Sequence, residues 1–200
     1  MDNDFLQRIF RALISHPVVW SVIFLNIAAF VGIHLLGVDF ALLKMPADSD
    51  LLLLPFYWWK MITPAFLHFT FAHLAVNLYF WWDFGSAIES YHRWRMLVIF
   101  LIAAMLTSLF QYWFGGPKFG GLSGVVFWLL GYLMIHSYWS SEARFHLRKF
   151  EMLLLLGYML VSFTGWLGPS SHAAHLGGLL GGGMMAVLEL TISKWRNSSK

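Results

Sequence analysis

Two short glycine-rich stretches carry the groups best suited to covalent chemistry. Gly121-Leu122-Ser123-Gly124 opens one apolar run, and Ala174-His175-Leu176-Gly177-Gly178 opens another about fifty residues later. A hydroxyl and an imidazole are the parts of a nucleophile and its general base: the ring takes the proton while the oxygen attacks a carbonyl. Gly120, Gly121 and Gly124 let the chain turn tightly around the serine and bring its N–H groups towards the attacked atom. A helix starting at Ser123 would add orphan amides and a dipole that favour developing negative charge. The same four residues also fit a serine helix cap flanked by packing glycines, and G-x-S-G by itself does not separate the two.

His175 shares a face with Gly178 and Gly182, and Gly177 and Gly181 form a second small-residue pair. This spacing lets the helix approach a neighbouring backbone, so a side chain at the top of the face can reach across to another helix. An imidazole there needs a partner or water, which a backbone carbonyl would also provide. A further run supplies His68, His73 and Asn77, the last two four residues apart and on one helical face. Their donors could stabilise an oxyanion. His68, His73, His172 and His175 offer ring nitrogens for a rival metal site. No His-x-x-x-His or His-Glu-x-x-His unit supports it, and no metal is expected.

The elements that must hold these groups are apolar. Of 200 residues, 59% are hydrophobic and 12% charged, where a soluble domain carries about 25% charged residues. The chain has no cysteine, which rules out disulfides and a thiol nucleophile. Its net charge of +3 comes in short basic clusters between apolar runs, a pattern of membrane anchoring rather than a nucleic-acid face. No small-x-small cleavage site follows the first run. Neither a Walker loop nor a dinucleotide fingerprint is present.

Six apolar segments are expected: Val18–Leu36, His68–Ile88, Met96–Phe114, Ser123–Tyr138, Phe150–Leu167 and Ala173–Ile192. Five approach the roughly 20 residues needed to cross a bilayer, and the fourth is short at its outer end. Ten basic residues (among them Arg8, Arg11, Arg93, Arg95, Arg148, Lys194 and Arg196) fall on one side and Lys44, Lys60 and Lys118 on the other. The positive-inside rule then places both termini in the cytoplasm. The outer connection from Gly37 to Leu67 carries Leu51–Leu54, Phe56, Trp58 and Trp59, and reads as a partly helical segment lying at the interface. Phe80, Trp81, Trp82 and Phe84 are expected to meet lipid, and Glu89 to form a surface ion pair near Arg93 and Arg95. Residues 1–16 are expected to form a short cytoplasmic segment, 17–195 a single membrane domain and 196–200 a cytoplasmic tail.

With these motifs in place, the chain resembles the rhomboid family of intramembrane serine proteases, in its compact six-helix bacterial form. The resemblance runs from about Trp20 to Trp195. It is carried by Gly121-Leu122-Ser123-Gly124, His73-Leu74-Ala75-Val76-Asn77 and Ala174-His175-Leu176-Gly177-Gly178 in that family's order and spacing, with Trp59-Lys60 and His68 in support. It implies an all-α membrane protein: a six-transmembrane-helix bundle with an interfacial first outer loop and a short fourth helix. It also implies an enzyme of the bacterial cytoplasmic membrane whose active site opens to the outer side. Ser123 would be the nucleophile and His175 the base, with His73, Asn77 and the Ser123 backbone amide forming an oxyanion hole and Gly121, Gly124 and Gly178 in support. No cofactor, metal or nucleic acid is implied; the partners are membrane lipid and single-span membrane proteins, cut beside a small residue. Two positions depart from the family pattern. Phe127 stands where tyrosine is usual, and a phenyl ring can still stack on the histidine. His172 stands where asparagine is common and adds a titratable ring. A reading from another class is a catalytically silent chaperone or transport component that recognises transmembrane helices, which would leave Ser123, His175, His73 and Asn77 without a joint purpose.

Overall fold

The computed structural model describes residues 14–90, 93–139, 147–164 and 170–198. Most of the expected terminal segments at 1–16 and 196–200 therefore lie outside the described residues or at their edge. Among the described residues, six α-helices follow the six apolar segments: α1 (Pro17–His34), α2 (Phe71–Glu89), α3 (Arg93–Gly115), α4 (Ser123–Trp139), α5 (Lys149–Ser162) and α6 (His172–Ser198). By length and composition, α1, α3 and α6 are each long and apolar enough to cross a membrane. A fourth span is obtained if α2 is joined to the stretch Pro55–Phe66, against which it is bent by 99°. The fifth segment is shorter than expected, since α5 has 14 residues and the chain turns after Ser162. Its expected end, 165–167, lies outside the described residues.

Local chemistry sets the helix starts. Pro17 occupies the first turn of α1, where its missing N–H costs nothing. The next free amides, Val18 and Val19 N–H, donate to the two carboxylate oxygens of Glu89 at 2.7 and 2.8 Å. Glu89 is thus buried as a cap on α1, and this corrects the expected surface ion pair; Arg95 turns instead to Glu189 of α6. A carboxylate at a helix N-terminus satisfies orphan donors and meets the favourable end of the dipole. Thr70 caps α2 by accepting from His73 N–H, so the helix begins three residues after His68.

The centre of the bundle is α4. From Gly124 to Leu133 every residue is buried, as expected of a helix that is apolar all round. Its most extensive partner is α6, and α3 covers α6 on another side. Glycines explain the closeness: a Cβ at Gly182 would collide with the Trp128 carbonyl, and one at Gly131 with that of Leu179. Such contact between backbones is the main source of helix association where lipid competes for apolar side chains. The expected lipid face of α2 is also corrected. Phe80, Trp81 and Phe84 are buried, with Trp81 Nε1 donating to Val19 O at 3.0 Å and its ring against Phe100. Exposed apolar side chains include Phe71 and Val76 of α2 itself, Phe24 and Leu25 of α1, Leu153 and Leu160 of α5, and Leu180 and Met184 of α6.

The connection between α1 and α2 is partly helical, as expected, and consists of four 3₁₀ helices: Phe40–Leu42, Ser49–Leu53, Pro55–Met61 and Thr63–Phe66. Asp39 and Asp48 cap the first two. Lys60 Nζ donates to Ala41 O and Leu42 O at 2.9 and 2.7 Å, and Thr63 Oγ1 to Leu43 O at 3.0 Å. Met45 and Leu52 pack with Tyr112 and Phe119 into a small second core, so the connection is fixed onto the C-terminal end of α3.

Candidate active site

Ser123 is the first residue of α4 and His175 lies in the first turn of α6. The α4–α6 packing brings their side chains together, with Ser123 Oγ and His175 Nε2 2.8 Å apart. With Nε2 accepting the hydroxyl proton, the ring carries its own proton on Nδ1. That Nδ1 is buried and has no protein partner among the described residues. Among the described residues, the serine–histidine pair therefore has no acidic third member.

Several contacts fix this geometry. Gly178 lies one turn beyond His175 and faces the Gly124 carbonyl, one residue after Ser123. The Phe127 ring lies 4.6 Å from the His175 ring and tilted by 31°, so the phenyl group covers the imidazole without needing a hydroxyl. Tyr158 of α5 approaches the same imidazole at 5.9 Å, a neighbour that sequence spacing does not reveal. From α3, buried Gln111 uses Oε1 to accept the Ala174 N–H at 3.0 Å, anchoring the chain one residue before the histidine. Thr107 of the same helix faces Gly124. His172 turns aside: its Nδ1 is 3.2 Å from Ser162 Oγ and its ring stacks on Phe163 at 4.7 Å.

The loop before Ser123 meets the start of α2. Gly121 has φ +116°, a conformation that side chains rarely adopt. A Cβ at Gly121 would lie 2.7 Å from His73 Nε2 and 3.8 Å from Asn77 Nδ2, so the glycine backbone sits directly against both expected oxyanion donors. Gly121 N–H donates to Pro64 O at 2.9 Å, which ties the loop to the α1–α2 connection. His68 then acquires a position that its sequence spacing does not disclose. Its buried Nε2 accepts the Leu122 N–H and lies 3.3 Å from Asn77 Nδ2. Asn77 Nδ2 also donates to His73 O at 3.0 Å within α2. Ser123, His175, His73, Asn77 and Gly121 thus meet at one place, with His68 beneath them. Among the described residues, no three His, Cys, Asp or Glu side chains are grouped to hold a metal ion.

The arrangement agrees with what known proteins of similar sequence are. The family described as Rhomboid domain matches residues 55–192, which contain every residue of this site. The chain is 32% identical over 177 residues to proteins named rhomboid protease GlpG from Salmonella paratyphi A (strain ATCC 9150 / SARB42) and Salmonella typhi. These matches cover 86% of this chain and 63% of each relative, so it spans less than two thirds of their length. On the family match over more than half its length, the chain belongs to the rhomboid family.

Proposed function

We propose that the chain is an intramembrane serine endopeptidase that cleaves transmembrane segments of membrane proteins through a Ser123–His175 dyad. The observation that carries this reading is the 2.8 Å contact between Ser123 Oγ and His175 Nε2, set among buried glycine-packed helices and next to His73 and Asn77. In the proposed reaction, His175 removes the hydroxyl proton as Ser123 Oγ attacks the scissile carbonyl. The same ring then delivers the proton to the leaving amine, and a second cycle hydrolyses the acyl-enzyme with water. Negative charge on the tetrahedral carbon's oxygen is met by His73, Asn77 and the Ser123 N–H. Since His175 has no carboxylate partner among the described residues, the packing of Phe127 and the Gln111–Ala174 bond do the orienting.

All six helices are assigned to the membrane, with both termini in the cytoplasm, the site open to the outer side of a bacterial cytoplasmic membrane, and the 3₁₀ connection at the outer interface. Support comes from the ten-to-three basic asymmetry and from the exposed Leu53, Leu54, Phe56 and Trp58 of that connection. Substrates are single-span proteins whose helix unwinds near its outer end, because attack needs an extended peptide; the glycine-crowded approach to Ser123 favours a small residue before the cut. The test is labelling with a serine-reactive fluorophosphonate. Stoichiometric modification of the native protein, absent in Ser123→Ala and nearly absent in His175→Ala, is expected. Labelling that persists in Ser123→Ala overturns the assignment.

A further inference from the structure

At the far end of α6 from the dyad, a cavity of about 250 Å³ is lined by Arg95, Glu189, Ile192, Ser193, Arg196 and Asn197. Glu189 is fourteen residues beyond His175, about 21 Å along the helix at 1.5 Å per residue, so the cavity is separate from the active site. The Glu189 carboxylate is already engaged. It pairs with Arg95, accepts from Tyr132 Oη at 2.8 Å and lies 3.5 Å from His136 Nε2. The other polar groups lining the cavity supply donors: the Arg196 guanidinium, the Ser193 hydroxyl and the Asn197 carboxamide. Arg196 makes no ion pair among the described residues. Arg93 and Lys194 stand at the same two helix ends, giving four cations against one carboxylate among the described residues of those ends.

Backbone dipoles do not account for this preference. The start of α3 offers partial positive charge and the end of α6 partial negative charge, and the two oppose each other at this end of the bundle. The side chains therefore make the site anion-seeking. It is also continuous with apolar surface: Met184, Leu188, Ile192 and Trp195 are exposed along one stripe of α6. With 27 residues, α6 is about 40 Å long, against a hydrocarbon core of about 30 Å. With the dyad end of α6 on the outer side, as proposed above, its last turns, which hold the cavity, reach the headgroup layer of the other leaflet.

We propose that this cavity binds the phosphate-bearing headgroup of an anionic phospholipid, whose acyl chains lie along the stripe formed by Met184, Leu188, Ile192 and Trp195. A free phosphate ion shares the headgroup chemistry but makes no use of the stripe. The test is thermal unfolding of the purified protein in mild detergent, titrated separately with phosphatidylglycerol, phosphatidylcholine and inorganic phosphate. Phosphatidylglycerol is expected to raise Tm saturably, and the other two are not. Arg196→Gln is expected to weaken half-saturation about fivefold, the effect of one basic side chain at a membrane surface. Arg196→Glu weakens it further and Asn197→Ala weakens it less, with the lipid-free Tm unchanged in all three. Equal stabilisation by phosphatidylcholine, or half-saturation unaltered in Arg196→Glu and Asn197→Ala, overturns the proposal. A phosphate response equal to that of phosphatidylglycerol assigns the cavity to a free anion and overturns the lipid reading.

Discussion

The carbonyl of Gly124 occupies the space that a Cβ at Gly178 would need. This contact between two backbones, each within three residues of a dyad member, sets the separation of Ser123 and His175. Gly178 also lies 3.1 Å from Trp128 N and 3.2 Å from Phe127 Cβ by the same measure, so no flexible side chain is available to yield.

Gly178→Ala is therefore expected to push α6 away from α4, lengthening the Ser123–His175 contact and lowering both stability and activity. Overpacking of a close interface costs about 1–3 kcal/mol, to be read as a fall in Tm together with slower fluorophosphonate labelling. Gly157→Ala in α5, where a Cβ meets nothing within 4 Å, is the control: labelling should be unchanged and Tm not lowered, since alanine is the better helix former.

The dyad and its glycines are legible in sequence because their chemistry depends on short spacings, such as Ser123 after Gly121 and His175 before Gly178. Contacts that depend on how helices are assembled are not. Phe80, Trp81 and Phe84 belong to a run with aromatic residues on every side, so periodicity does not distinguish a lipid face from a protein face. Only the packing of α1 and α3 against α2 makes them core. Glu89 reads as an ion-pairing residue beside Arg93 and Arg95 until the fold places the start of α1 above it. Gln111 and Tyr158 reach the site from α3 and α5 across 63 and 17 residues of chain, and no motif links them to His175.

His68 supports the loop that carries the proposed nucleophile. Its Nε2 holds the Leu122 N–H, and His68→Leu leaves that buried amide without a partner, at about 1–3 kcal/mol. The loop is then expected to shift relative to His73 and Asn77, lowering kcat more than it raises KM. His68→Gln restores an acceptor and should recover part of the loss. Asn77→Ala leaves the Leu122 bond intact and removes one proposed oxyanion donor, at about 1–4 kcal/mol of transition-state stabilisation. Equal kcat in wild type and Asn77→Ala would remove Asn77 from the oxyanion hole.

A polar cluster joins the start of α5 to the second half of α2. Arg148 Nη2 donates to Asp83 Oδ1 at 3.0 Å and to buried Glu151, whose carboxylate also accepts from Tyr79 Oη at 3.0 Å. The hydrogen bond to Glu151 and the charges of Asp83 and Glu151 push the Arg148 pKa above its ordinary value. Much of α5 is exposed and it contacts α4 and α6 only sparsely, so this cluster is a principal attachment. Arg148→Met is expected to lower Tm and to increase hydrogen exchange in α5 ahead of the other helices, because it leaves the Glu151 carboxylate without its cation. Adding Glu151→Gln should restore part of the Tm. Uniform exchange across all helices in Arg148→Met would show that α5 is held elsewhere.

The proposed depth of the nucleophile can be measured with a single thiol, because the chain has no cysteine of its own. Ser123 starts α4, and the helix reaches its buried His136 about 20 Å away at 1.5 Å per residue. Within a core of about 30 Å, this leaves Ser123 on the order of 10 Å below the outer surface. Hydrolysis consumes water, so the serine must be both submerged and wet. Ser123→Cys is expected to react with a small hydrophilic methanethiosulfonate in detergent and in membranes, and more slowly with a bulky membrane-impermeant maleimide. The difference between the two reagents reports the narrowness of the route past Gly120, Gly121 and the outer 3₁₀ connection. A thiol at position 123 that neither reagent reaches would mean that the site is dry, and a dyad 2.8 Å apart would then have no water with which to release its acyl group.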